Sequence, residues 1–455
     1  MALSLDETRI VNDLTNALTV VNHIDEKHDR YYEGQQRLEQ IGLAVPPELR
    51  RFETVVNWPR LVLDSLNERL DVKAFMLPGE DMSDAGLREG WDANDLDSEA
   101  PKLHLDAFIY GRGFVCAGAP DERGEPPRLT VESPREITVR IDPRTRRVIE
   151  GLRLYGQDDN DLTPQNATLY RPDETLWLEK DDNGRWVEVD RDPHNLGRVP
   201  IIPFFNRLRP GRWGGISEMT DVIPLTDAAA RTLTNLQLAG ETHAVPGKYA
   251  LGVSKGDFVD DAGNPLPVWE AYFNSIWATA NKDAKVGQFD ATSLSNFHDT
   301  VNHYARLVSA LSGLPPHFLG FSSENPASAD AIRSSESRLV KRAELKQRQF
   351  GDSWGRVMAY YMRLRDGEWP DERRIKVEWH DASTPTVAAR TDAVVKLASG
   401  DRPLISREGA WDELGWSEAR KQRERDYFEQ EALDPVTQAI VNGVTADAAN
   451  TDLGA

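Results

Sequence analysis

Several residue patterns in this sequence invite a chemical reading. His23/His28 and His298/His303 are possible zinc pairs, yet a spacing of five turns two rings away from each other on a helix. Asp92, Asn94 and Asp97 imitate part of a calcium loop, but Leu96 stands where an oxygen ligand belongs and no glycine follows, so they read as surface groups. Gly247 and Lys248 are followed by Tyr249 rather than the hydroxyl that completes a phosphate-wrapping loop. The single cysteine, Cys116, lies in an apolar segment where burial explains it, and it has no intrachain disulfide partner. Acidic pairs such as Asp260/Asp261, together with 12 tryptophans, leave a soluble carbohydrate-active hydrolase open, because that chemistry needs two carboxylates and stacking aromatics. No G-x-S-x-G or H-E-x-x-H is present. The expectation is a protein that is not an enzyme, with no catalytic, cofactor-binding or metal residues.

Composition narrows the class. A chain of 455 residues, 39% hydrophobic and 28% charged, can bury a sizeable core, and none of its apolar runs approaches the ~20 residues of a membrane span. MALSLDETRI lacks the basic and apolar regions of a secretory signal, which predicts folding in a reducing cytoplasm. The formal charge of −21 opposes the basic footprint of a protein that grips nucleic acid, so DNA contact should be loose or local.

The elements follow from periodicity. Ile10, Leu14, Ala17, Val21, Ile24 and Tyr31 recur every three or four residues up to Gly34, predicting one long helix. Val55, Trp58, Val62, Leu66 and Leu70 predict a second, and Leu103, Ala107 and Tyr110 a third, making the first 110 residues mainly helical. After Gly113 come short alternating segments divided by DPRT and DDNG turns, a block of antiparallel strands. The two prolines of VPIIPFFNRL argue for an extended connector rather than a central strand. A helix is predicted from near Ser217, with Asp221 as a cap and Pro224 in its first turn; Ala228, Ala229 and Ala230 either admit a close neighbour or are simply good helix formers. Leu294, Phe297, Val301, Tyr304, Val308 and Leu311 form a narrow helical seam. SGLPPHFLGFSSENPAS breaks that helix before a long one that places Ile332, Leu339, Ala343, Phe350, Trp354 and Tyr361 on one face. Between Ser328 and Arg365 this run holds nine basic and four acidic residues, either a solvated face or a surface near a polyanion. A strand, RIKVEW, and a helical end with a polar tail complete an α+β chain.

The order of these elements resembles the portal proteins of tailed bacteriophages, the siphophage head-to-tail connectors, over nearly the whole length. YYEGQQRL, NWPRLVLDSLNERLDVKAF, HLDAFIYGRGFV, NLGRVPIIPFFNR, SGLPPHFLG and NPASADAIRSSESRLVKRAELKQ carry the likeness through their order and spacing. The resemblance implies a wing over residues 1–216, a first stem helix over 217–244 and a small β-rich clip over 245–293. It places a second stem helix at 294–312, a tunnel loop at 313–327, a long helix with a returning wing strand at 328–382, and a short α-helical crown with the C-terminal tail at 383–455. It also implies a ring of twelve subunits at one capsid vertex of the virion, assembled in the host cytoplasm. Double-stranded DNA would pass through it without sequence specificity, and its partners would be the major capsid protein, a head-tail adaptor and, during packaging, the terminase. Another virion subunit, an adaptor or a capsid-associated protein, is the neighbouring alternative.

Three groups of residues follow from this frame. Ser322, Ser323, Glu324 and Asn325 are candidates to face DNA in the tunnel loop, short polar groups that brush phosphates and a carboxylate that keeps the constriction repulsive. Arg333, Arg338, Lys341 and Arg342 on the basic helix either pair with acidic wings of the adjacent subunit or offer weak phosphate contacts. Trp269, Tyr272, Phe273 and Trp277, four aromatics within nine residues, supply a subunit or adaptor contact at the clip or form that module's own core.

Overall fold

The computed structural model describes residues 2–37, 54–77, 85–120, 122, 124–156, 163–212, 214–243, 248–252, 285–288, 294–320, 329–371, 375–383, 387–399 and 402–433. The chain divides into two compact units, Met1–Ala382 and Ser383–Ala455.

The first unit opens with α1 (Leu5–Glu33), whose start is a reciprocal cap: Ser4 Oγ accepts from the Glu7 N–H and the Glu7 carboxylate accepts from the Ser4 N–H. Its end is Gly34 at φ 69°, a left-handed stop. Ile10, Val11, Leu14 and Leu18 bury against Leu152, Leu154, Leu169, Leu176 and Leu178, so α1 lies across one face of a five-stranded antiparallel sheet. That sheet has the order β4 (Ile137–Ile141), β5 (Val148–Tyr155), β6 (Asn166–Tyr170), β7 (Thr175–Lys180), β8 (Trp186–Asp192). A second sheet, β3 (Arg128–Glu132), β2 (Arg112–Gly118), β9 (Ile201–Phe205), meets it through Phe114, Cys116, Ile137, Val199 and Ile201. Cys116 is buried there, and burial pushes its thiol far above the ordinary range.

The largest core gathers around one long helix. α2 (Trp58–Asn67), α3 (Ala85–Ala93) and α4 (Leu96–Tyr110) share a core with β2, β9 and α7 (Ala329–Asp366). Trp354 of α7 is fully buried, with its ring edge-on to Trp91 at 4.7 Å and to Phe204 at 4.9 Å. Its indole N–H donates to His104 Nε2 at 2.9 Å, and burial holds that imidazole at about 3, so it stays a neutral acceptor. α5 (Ile223–His243) packs against α6 (Ser295–Ser312), and Tyr31 ties α5 to α1 by donating to Asp227 at 2.7 Å. Ala229 and Ala230 are buried. Between these helices lies the antiparallel pair β10 (Lys248–Leu251) and β11 (Lys285–Gln288). The second unit contains α8 (Val387–Ala398), α9 (Arg407–Glu413) and α10 (Glu418–Leu433), with Trp411 and Ala410 buried and Ser406 capping α9.

Five expectations need correction. Val72–Met76 is strand β1, an element that the reading of a mainly helical start did not include, and pairs antiparallel with β12 (Lys376–Trp379), Phe75 opposite Val377. VPIIPFFNRL is not a bare connector but contains a strand, β9; as the prolines require, it is no central strand but an edge, laddering among the described residues with β2 alone, which tolerates Pro203. α5 begins at Ile223 rather than near Ser217, and Asp221 faces Arg207 at 2.8 Å instead of capping. On α6 the seam holds through Leu294, Phe297, Val301 and Tyr304, each half-buried, and Val308, buried, but not at Leu311, which is 53% exposed while Ala305 and Ser312 are buried. Ile332 is exposed, which shortens the buried face of α7 to begin at Leu339.

Candidate functional site

The break between α6 and α7 is built on a rigid base. Gly313 closes α6 at φ 74°, its N–H donating to Ser309 O at 2.9 Å, and Leu314 turns into the core. Ser309 Oγ holds Leu314 O at 2.7 Å, and Pro316–Leu319 forms one 3-10 turn ending at Gly320, φ 86°. The expected DNA-facing residues Ser322, Ser323, Glu324 and Asn325 lie outside the described residues, as do Trp269, Tyr272, Phe273 and Trp277.

The basic residues of α7 are placed unequally. Arg338 Nη1 donates to Ala310 O at 2.6 Å, a cation on the carbonyl end of α6 where the helix dipole favours it. Arg338 and Arg342 also lie on Gly313: a Cβ there would stand 3.2 Å from a side-chain carbon of each. Arg342 reaches Glu218, just before α5. Lys341 is exposed and pairs with Glu344 at 2.6 Å, and Arg333 is exposed. The structure thus brings Arg338 and Arg342 together at the end of α6 and leaves Arg333 and Lys341 on the surface.

Arg342 leads to a buried polar knot that sequence reasoning missed. Glu218 accepts from Arg342, from Lys346 Nζ at 3.1 Å and from Asn206 Nδ2 at 2.8 Å; Lys346 donates also to Asn206 Oδ1. Glu218, Lys346 and Asn206 are each almost wholly buried. Burial by itself would raise the Glu218 carboxyl, but Lys346 and Arg342 beside it, with the Asn206 amide, hold it at about 2. Lys346 is pulled below the ordinary lysine range by burial, even with Glu218 facing it. The backbone closes around this group. Asn206 N–H donates to Gly111 O at 2.8 Å, Ile216 N–H to Asn206 O at 3.0 Å and Glu218 N–H to Phe108 O at 2.8 Å. A Cβ on Gly215 would fall 1.6 Å from Gly111 O, so this crossing admits only glycine. Lys346 stands one turn beyond Arg342, but nothing local in the sequence says that Glu218, 128 positions away, receives both.

A second tie holds the same helix. Arg69, nearly buried, lies 3.5 Å from Glu336 and donates to Ala382 O at 2.7 Å. His317 of the 3-10 turn stands 3.9 Å from the same Glu336. Of the groups first weighed as ligands, Asp97 instead accepts from Trp91 Nε1 and Arg88, and Asn94 joins Gly90 O to the Leu129 N–H. No cluster that could hold a metal ion occurs among the described residues.

What this arrangement does chemically is hold. Charged groups and carbonyls are matched to one another at the end of α6 and just before α5, the chemistry of a joint in a structural subunit. Comparison with known proteins gives that class its family. Residues 24–433 match the family described as "Phage portal protein, SPP1 Gp6-like". The portal protein of Mycobacterium phage D29 is 37% identical over 432 residues, covering 92% of this chain and 88% of that protein. The portal protein of Mycobacterium phage L5 is 38% identical over 413 residues, 88% of this chain and 84% of that one. The chain belongs to this family of phage portal proteins. Among solved structures, the neck of an empty gene transfer agent particle, computed with C6 symmetry, is 15% identical with a TM-score of 0.45, covering 83% of this chain and 95% of that one. The neck of the native particle, computed with C12 symmetry, is 14% identical with a TM-score of 0.42, covering 83% and 94%. The carbohydrate-active alternative is not favoured by this membership. No described helix is long and apolar enough to cross a membrane.

Proposed function

We propose that this protein assembles into a ring at one vertex of the capsid, passes double-stranded DNA inward during packaging and outward during ejection, and attaches the tail. The observation that carries this reading is the family match over residues 24–433, joined by two named portal relatives along most of their own length. The ring has twelve subunits, and its partners are the major capsid protein, the head-tail adaptor and the terminase. Residues 313–327 face the DNA, with Ser322, Ser323, Glu324 and Asn325 at the constriction. The anchoring of Gly313 and Leu314 supports this, because a loop that must stay out of the path of moving DNA needs a fixed base. Arg333 and Lys341, both exposed on α7, meet a neighbouring subunit or phosphate. The aromatic group at Trp269, Tyr272, Phe273 and Trp277 meets the adaptor. A net charge of −21 per chain suits a conduit, since acidic walls avoid the counterion-release adhesion that would stall DNA. Native mass measurement and negative-stain imaging of the purified chain test the reading. Closed rings are expected, and a chain that is monomeric at high concentration and in virions overturns it.

A further inference from the structure

A cleft of about 760 Å³ opens where the β4–β5 turn, the loop before β9, the segment after it and α7 converge. Arg146, Arg147, Arg198, Arg209, Arg212 and Arg356 line it, and no carboxylate does. In a chain of net charge −21 that is a marked reversal. Arg198 stacks on Trp369, but Arg147, Arg209 and Arg212 have no carboxylate partner among the described residues. The cleft floor is apolar: Ile201, Phe205 and Leu208 contribute, and Leu208 is 48% exposed. Arg146 holds φ 60° in the β4–β5 turn, a conformation in which glycine would be less strained, yet an arginine occupies it. An apolar floor with an arginine rim does not fit a bare phosphate backbone, which brings no apolar group. It fits an apolar side chain flanked by carboxylates.

Such a group stands at the opposite edge of the same sheet. β8 is that edge, with a single bridge, Ala2 to Val187, on its outer side. Trp177 pairs with Asp190 and Leu178 with Glu188, so Val189 is the extra residue of a bulge, and it is 62% exposed. Bulges on edge strands re-aim side chains and stop indiscriminate pairing. Here the bulge presents a valine followed by Asp190 and Asp192, while Arg191 between them is engaged by Glu7, Glu174 and Glu188. The register from Ile141–Val148 through Tyr170–Thr175 to Asp192 puts both features at one end of the sheet. Four strand spacings of ~4.8 Å separate them, about 19 Å. Complementary features on opposite edges of one element are what a head-to-tail contact between identical chains requires.

We propose that the arginine cleft of one copy receives the β8 edge of the next, with Val189 against the apolar floor and Asp190 and Asp192 on Arg209, Arg212 and Arg147. This rests on the ring reading above. It assigns the contact by which chains that repel one another through their net charge come together in one orientation.

The test uses the full chain with native mass spectrometry at fixed concentration and salt, each variant first being checked by circular dichroism for wild-type folding. R209E/R212E and D190R/D192R should each lower the ring population at least about tenfold, and the four substitutions together should restore most of it. If the reversals disturb folding, R209Q/R212Q is the milder variant, and its rings should dissociate at lower salt than the wild type. Assembly of either reversed pair at the wild-type level overturns the proposal, as does failure of the combined variant to recover while folded. R209E/R212E that assembles normally but loses binding to a double-stranded DNA probe makes the cleft a nucleic-acid site instead. A wild-type chain that never forms rings removes the portal-ring reading together with this contact, whereas rings indifferent to the reversals remove this contact alone.

Discussion

Glu218→Gln isolates what the buried knot contributes. The substitution keeps shape and removes the charge shared by Arg342, Lys346 and Asn206, leaving Lys346, almost wholly buried, opposite a neutral amide. Breaking a buried pair from one side costs about 3–5 kcal/mol. The downward displacement of the Glu218 carboxyl from 4.5 to about 2 leads to a similar figure, about 3 kcal/mol at about 1.4 kcal/mol per pH unit. An unfolding entropy near 2.1 cal/mol/K per residue, over a unit ending at Ala382, converts this to a fall in Tm of about 4–6 °C. Thermal unfolding of the full chain at pH 7, followed by circular dichroism, reads it for E218Q, K346M and the double variant. Each single change should lose this much, and the double should recover more than half, since a pair removed together leaves no uncompensated charge. Because the folded value lies below the unfolded one, the stabilisation is complete above about pH 4.5 and is lost as the pH falls toward about 2. The gap between wild type and E218Q should therefore narrow over that window. Losses below about 1 kcal/mol, or single losses that simply add in the double variant, refute the reasoning.

Asp106 gives the opposite pH signature: burial, with Asp29 and Asp25 nearby and despite Arg112, raises it to about 7. The wild type loses stability as the pH rises from about 4 through 7, so D106N should raise the midpoint at pH 8 by an amount equivalent to about 1–2 kcal/mol and change little near pH 4. Gly313→Ala combines a left-handed backbone with a Cβ pressed on Arg338 and Arg342; a loss of about 1–2 kcal/mol by denaturant titration is expected. Charge reversal at Arg338 and Lys341 separates two roles. R338E also removes the Ala310 cap, so K341E alone should leave stability within about 0.5 kcal/mol, and a change in assembly or DNA retention by K341E assigns Lys341 to a neighbour or to phosphate.

Local regularity was legible wherever a single element made its own case. Ser4, Glu7 and Gly34 bracket α1, and alternation marks the hairpins because each strand of the five-stranded sheet pairs with a neighbour in sequence. β1 escaped because its only partner among the described residues is β12, and a five-residue strand without a hairpin partner has no local signal. The prolines of β9 rightly argued against a central strand, but an edge strand and an extended connector look alike in sequence because edge position is a tertiary fact. At the site, the helix break at Gly313 was visible in its proline and glycine content, and the basic run in its charge. Glu218 and Asn206 were not, because a carboxylate and an amide are ordinary surface residues until packing removes them from water. For the same reason the contacts that Arg338 makes with Ala310 O and Arg342 with Glu218 were not legible.

The β1–β12 ladder has a consequence for synthesis. Val72 leaves the ribosome 304 residues before Lys376, the first residue of the strand that pairs with it. At about 5–20 residues per second, that is roughly 15–60 s during which β1 is made and its partner is not. α7, which fills the same core, is translated in the last part of that interval. The nascent first unit must therefore wait with Phe75, Trp91 and Phe108 lacking the helix that buries them, a window in which an unpaired strand and apolar surface are open to chaperones and to self-association.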